Sequence, residues 1–176
     1  NEERIKEAEC SLKSMLEVKN LIGKTFLDVG SGSGLFSLAA KNLGSDVVSF
    51  DYDEASVWCT SELKNRYYKR DGTWKVMQGS ILDIKFLETL GKFDYVYSWG
   101  VLHHTGEMWR ALDNVVRLVQ PNGTLFIALY NHQQFVSQYW TFVKKTYNKF
   151  PICRPLWIFL HFLYPTLPSI TLKYLQ

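Results

Sequence analysis

The 176 residues are 47% apolar and 21% charged, which excludes an intrinsically disordered chain; 11 Gly and 5 Pro exclude collagen-like and low-complexity classes. A formal net charge of +3 is too small to signal the concentrated basic face of a nucleic-acid binder, and no nucleic-acid partner is expected. Cys10, Cys59 and Cys153 form no CxxC pair, so neither a zinc site nor a disulfide framework is indicated.

Along the chain, Ile5, Ala8, Leu12, Met15 and Leu16 recur at helical spacing and predict an amphipathic helix over 2–18. Short apolar runs then alternate with helical patterns. Strands are predicted over 25–29, 47–50, 74–78, 93–98 and 124–130, and helices over 35–43, 54–68, 84–90 and 107–119. Pro121-Asn122-Gly123 reads as a turn. This alternation defines an α/β fold, a Rossmann-like doubly wound sheet of five parallel strands covered on both faces. Ligands of such sheets bind at the carboxyl ends of the strands.

Residues 133–149 are predicted helical. The apolar stretch 156–165 is bounded by prolines and is shorter than the ~20 residues of a spanning helix. The expected organisation is a cofactor-binding domain over 1–131 with its N-terminal helix, and a helical, apolar tail over 132–176. Free thiols and the absence of a secretory signal fit a cytoplasmic setting. The chain begins with Asn, as a processed or cut chain does.

Asp28-Val29-Gly30-Ser31-Gly32-Ser33-Gly34 lies between a predicted strand and a predicted helix. Glycines there let the backbone turn tightly and let a ligand approach the main chain. The dinucleotide fingerprint GxGxxG fails, because position 35 is Leu35. A carboxylate ahead of the glycines matches a pyrophosphate poorly. It suits a cofactor with a cationic amine, such as the amino acid end of S-adenosylmethionine. Asp51 ends the second strand 21 residues after Gly30, near the roughly 20 expected of a ribose-binding acid. Asp53, at the start of the next helix, reads as its cap.

These motifs resemble the class I S-adenosylmethionine-dependent methyltransferases, in Phe26 to Gly34, Phe50-Asp51-Tyr52, Gln78 to Asp83, Phe93 to His104 and Val119 to Phe126. The Gly100-Val101-Leu102-His103-His104 run is similar to the branch that includes quinone-biosynthesis and small-molecule enzymes. The resemblance implies that Asp28 sits near the methionine amine and that Gly30, Ser31, Gly32 and Gly34 line the cofactor's backbone. It implies that Asp51 binds the ribose, that Tyr52 packs on the adenine, and that Ser80 and Ile81 flank it. Ser80 stands where many members carry Asp, which leaves the adenine amine to Asp83 or to backbone carbonyls. Ser98 and Trp99 are implied to face the methionine portion and the substrate mouth.

The expected reaction is methyl transfer to a small-molecule or lipid-like acceptor, with S-adenosylhomocysteine as product and no metal. Ser98-Trp99-Gly100-Val101 lacks the Pro-Pro-aromatic run of enzymes acting on exocyclic amines of DNA bases. The cysteines do not fit a cytosine C5 enzyme, and no acid cluster resembles the catechol-type metal site. His103 and His104 are candidate general bases, or structural caps. His132, after the fifth strand, is a further candidate base, and Tyr130 and Asn131 at the same end are expected to line the acceptor pocket. A cofactor-binding but inactive module and a nicotinamide oxidoreductase are the rival readings.

A complete fold of this family adds two further strands, one antiparallel, which residues 132–176 do not supply. Either the chain is C-terminally truncated or those strands lie beyond a helical insertion that this sequence does not finish; truncation is the favoured expectation, with an exposed edge on the fifth strand that favours homo-oligomers. The aromatic tail then packs as core or lid, associates with itself, or touches a membrane or lipid substrate. Membrane contact is the least favoured of the three.

Overall fold

The computed structural model describes residues 2–130 and 134–163. They fall into two compact units, Asn1–Tyr130 and Asn131–Gln176.

The first unit opens with α1 (Glu2–Leu16), whose Ala8, Leu12 and Leu16 form one buried stripe. It stops where Glu17 turns to φ 55°, two residues before the predicted end. There follow β1 (Thr25–Val29), α2 (Leu35–Asn42), β2 (Asp46–Asp51), α3 (Glu54–Tyr68) and β3 (Trp74–Gln78). Then come α4 (Ile84–Glu88), β4 (Phe93–Trp99), a 3-10 turn at Leu102–His104, α5 (Met108–Arg117) and β5 (Val119–Ala128). The second unit holds α6 (Gln134–Lys149), a 3-10 turn at Pro151–Cys153 and α7 (Arg154–Leu163). No helix among the described residues is long and apolar enough to cross a membrane.

The sheet has the order β3-β2-β1-β4-β5, and every described pairing is parallel. Strand order reverses beside β1, so a crevice opens between the carboxyl ends of β1 and β4. The alternating strand pattern feeds two cores. Phe26, Val47 and Tyr97 pack toward α1 and α2, with Leu12, Leu38 and Ala39. Leu27, Val29 and Val96 point the other way, toward Leu87, Ala111 and Val115. Burying a side chain such as Leu27, which is fully covered, stabilises the fold by about 1.5–3 kcal/mol.

Asp94 fastens the far end of the sheet. Its Oδ2 accepts from both the amide and the hydroxyl of Thr25 at 2.9 Å, and the Thr25 hydroxyl accepts the Asp94 amide in return.

The strand expected at 124–130 instead runs from Val119 to Ala128. Pairing passes from Phe93↔Val119 directly to Tyr95↔Thr124, so Pro121-Asn122-Gly123 forms an excursion inside the strand. Asn122 takes φ 65°, a conformation Asn tolerates. The turn chemistry is present, but the strand resumes in register beyond it. The same early pairing ends α5 at Arg117 rather than at 119.

Candidate cofactor-binding site

A cavity of about 480 Å³ lies at the carboxyl ends of the first three strands. That size suits a ligand of cofactor dimensions. Its walls come from Gly30 after β1, Asp51 and Tyr52 at the end of β2, and Ser80 and Ile81 after β3. Val101, His104 and Thr105, beyond β4, close one side.

The glycine loop is shaped by three positive φ angles, 76° at Gly30, 53° at Gly32 and 75° at Gly34. At Gly30 a Cβ would collide with the side chain of Val101. At Gly32 a Cβ would meet nothing within 4 Å. Gly30 is therefore glycine so that the β4 segment can approach, and Gly32 keeps its open side free. The amides of Gly30 and Ser31 both donate to the Phe50 carbonyl, at 2.9 and 3.1 Å, which folds the loop against β2. The Ser31 hydroxyl pairs with that of Thr60 on α3 at 3.0 Å.

Asp51 holds this arrangement. Its Oδ2 accepts the Gly32 amide at 2.9 Å and its Oδ1 accepts the Asp53 amide at 3.0 Å. Each carboxylate oxygen retains a second lone pair, so both can still receive a hydroxyl from a ligand. Asp53 caps α3, accepting the Ser56 amide at 2.9 Å. Asp83 likewise caps α4 and is not on the cavity wall; the Ser80 hydroxyl accepts the Leu82 amide at 3.2 Å.

Asp28 lies beneath the loop, 2% exposed. It terminates a buried chain of donors: Trp74 Nε1 donates to Ser49 Oγ at 3.0 Å, Ser49 to Ser37 at 2.7 Å, and Ser37 to Asp28 Oδ2 at 2.5 Å. Burial pushes its carboxyl up to about 6, opposed by the Ser37 hydrogen bond and reinforced by the Asp51 charge.

Ser98 is fully buried and donates to the Val29 carbonyl at 3.2 Å. Trp99 is 44% exposed and belongs to the opposite face of the sheet, stacked with Phe126 and Phe36. Neither lies on the cavity wall.

The two histidines part company. His104 is exposed and lines the cavity. His103 does not line it; its ring packs on His104 and Tyr130, with centroids 4.0 and 4.7 Å away. Both His103 nitrogens are buried without a hydrogen-bond partner among the described residues. Desolvation, aided by His104, lowers the pKa of His103 and favours its neutral form. Asn131 and His132 lie outside the described residues.

The structure thus brings Gly30, Asp51, Tyr52, Ser80, Ile81 and His104 to one cavity. Asp28, Ser31, Gly32 and Gly34 stand behind or beside its rim, where Gly34 adjoins Thr60. Sequence reasoning did not single out Asn114, 2% exposed on α5, whose Nδ2 donates to the Ile81 carbonyl at 2.8 Å and fixes that wall. Its signal is an amide on the apolar stripe of Ala111, Val115 and Leu118. Among the described residues no group of three or more His, Cys, Asp or Glu side chains is placed to hold a metal.

A family model described as a methyltransferase domain matches residues 27–127. The ubiquinone biosynthesis O-methyltransferase of Caulobacter vibrioides is 30% identical over 118 residues, 62% of this chain and 42% of that protein. Among solved structures, the YcgJ protein of Bacillus subtilis superposes with a TM-score of 0.63 at 15% identity, over 80% of this chain and 58% of that one. Coclaurine N-methyltransferase, solved with N-methylheliamine and S-adenosylhomocysteine, gives 0.57 at 16% identity, over 70% and 35%. The chain belongs to the methyltransferase-domain family, of the class I S-adenosylmethionine-dependent type that its glycine loop resembles. It spans less than half the length of the two ubiquinone biosynthesis relatives first matched, 42% and 48%.

Proposed function

We propose that this chain binds S-adenosylmethionine at the carboxyl ends of β1, β2 and β3 and serves a methyltransferase acting on a small-molecule or lipid-like acceptor. The observation that carries the reading is the Asp51–Gly32 hydrogen bond beside the open face of Gly32. Asp51 lies on the wall of a cavity of cofactor size, and the Gly32 backbone bonded to it stands beside the rim, which supports Asp51 as the ribose acceptor.

In this reading the glycine backbone faces the methionine portion, and Asp51 receives the ribose hydroxyls. Tyr52, Ser80 and Ile81 enclose the adenine. The bound cofactor supplies an electrophilic methyl on a sulfonium. Asp28 adds negative potential under the loop. Ser98 and Trp99 act indirectly, through the Val29 carbonyl and the aromatic stack. His104, on the wall, is the group placed to accept a proton from an acceptor hydroxyl, with His103 packed behind it. The O-methyltransferase name of the Caulobacter relative supports a hydroxyl as the acceptor atom. Positioning for in-line attack supplies much of the acceleration.

The test is transfer of label from methyl-tritiated S-adenosylmethionine to a panel of phenols, hydroxy acids and lipids. Label in the organic extract is expected. Saturable S-adenosylhomocysteine binding with no transfer to any acceptor would favour an inactive module instead. Label confined to a protein fraction would overturn the acceptor class.

A further inference from the structure

The second unit has a chemistry of its own. Residues 131–176 carry five basic side chains, Lys144, Lys145, Lys149, Arg154 and Lys173, and no Asp or Glu. The rest of the chain holds 15 Lys and Arg against 17 Asp and Glu, so the positive charge is concentrated here.

On α6, Phe142, Tyr139, Val143, Tyr147 and Trp140 fall within an arc of about 160° at 3.6 residues per turn. Lys144, Lys145 and Lys149 occupy the remaining arc. Of that apolar arc only Val143 is buried; Phe142 is 58% and Tyr139 48% exposed. Trp157 of α7 meets the rings of Tyr139 and Phe142 edge-on, at 6.4 and 6.1 Å, and forms the seam between the helices. The rest of α7 offers Leu156, Ile158, Phe159 and Leu160, each at least 42% exposed, and Ile152 before it is 89% exposed. A helix apolar on nearly every side is ordinarily buried in a core or in lipid. Within its own unit, among the described residues, only Trp157 of this helix is matched by rings of α6, and Leu156, Ile158, Phe159 and Leu160 stay exposed beside it.

We propose that this unit docks on an anionic lipid surface, with its apolar side chains in the acyl boundary and its lysines at the headgroups. The segregated faces, aromatic and aliphatic against basic, are those of interfacial helices. At 10 residues α7 is about 15 Å long, half the hydrocarbon thickness, which suits a helix lying in the interface rather than one spanning it. A second copy paired through this same unit fits less well, because no acid in residues 131–176 answers the five cations. A nucleic acid fits less well too, because Ile152, Leu156, Ile158 and Leu160 offer no stacking face. The proposal is independent of the cofactor assignment.

Vesicle flotation of the 176-residue chain tests it, with phosphatidylcholine alone and with about 30 mol% phosphatidylglycerol added. Flotation with the anionic vesicles, weakened by salt, is expected. The triple variant K144E/K145E/K149E, whose lysines are exposed and form no ion pair among the described residues, loses roughly tenfold or more in partitioning. The pair L156S/F159S loses binding with the charge unchanged, while circular dichroism reports the helix content of each variant. Failure to float with either vesicle overturns the proposal. So does a charge-reversed variant of unaltered helix content that binds as the parent does. A concentration-dependent dimer mass abolished by L156S/F159S, or a preference for polyuridylate over vesicles, would assign the face to a second copy or to nucleic acid.

Discussion

Asp51 accepts the backbone amide of Gly32 at 2.9 Å, which ties the end of β2 to the glycine loop that follows β1. The residue assigned to the ribose is thus also a structural member of the loop. Hydrogen bonds to a charged group contribute about 1.5–3 kcal/mol each. Asp51→Ala is expected to weaken S-adenosylhomocysteine binding at least tenfold by calorimetry and to lower the melting temperature. Asp51→Asn, with one acceptor oxygen, falls between the two. Wild-type affinity in Asp51→Ala would remove the ribose assignment.

Gly30→Ala acts by a different route. The residue holds φ 76°, and its Cβ would strike Val101. A non-glycine residue in this region costs about 1–3 kcal/mol before the collision is counted. Loss of cofactor binding with a clear drop in thermal stability is expected. Gly32→Ala carries the backbone cost alone, because nothing lies within 4 Å of its Cβ. It should unfold less readily than Gly30→Ala but still bind poorly. Equal stability of the two variants would contradict the packing role given to Gly30.

Asp28 gives a pH signature. Its carboxyl is at about 6 in the fold against 3.8 ordinarily, so the folded state binds the extra proton between those values. The protonated form's advantage is complete below about 3.8 and is lost as pH rises through about 6. By linkage the shift corresponds to about 3 kcal/mol, to order of magnitude. Asp28→Asn keeps an acceptor for Ser37 and carries no charge. It is expected to be more stable than the parent near pH 7.5, with the difference shrinking toward pH 4. Denaturant melts at the two pH values measure this; an unchanged difference would mean that the burial cost is met elsewhere.

Asn114→Ala removes the buried bond to the Ile81 carbonyl. A loss of about 1–3 kcal/mol is expected from the unsatisfied carbonyl. Because Ile81 lines the cavity, cofactor affinity should fall as well. Destabilisation with unaltered affinity would show that the wall does not depend on this contact.

The strand and helix alternation was legible because parallel strands buried on both faces leave plain apolar runs, as in Phe26-Leu27 and Val47-Val48. The glycine spacing was legible because the loop's positive φ angles demand glycine, and Asp51 because it ends a strand at a telling distance from Gly30. The partners of Asp28 were not, since Ser37, Ser49 and Trp74 meet only once α2 packs on the sheet. The burial of Ser98 and the opposite facing of Trp99 depend on which face of β4 each presents, and the motif alone does not give that. Pro121-Asn122-Gly123 carries genuine turn chemistry, but only pairing with β4 reveals that the strand continues around it. His103 and His104 are indistinguishable in sequence and differ in burial because the His103 ring is packed against His104 and Tyr130, whereas His104 reaches the cavity.

The most direct measurement is calorimetric titration of the 176-residue chain with S-adenosylhomocysteine, with NAD as the control. Saturable binding of S-adenosylhomocysteine alone, abolished or much weakened in Asp51→Ala, is the predicted result. Binding of NAD instead, or S-adenosylhomocysteine binding indifferent to Asp51, would contradict the cofactor site described above.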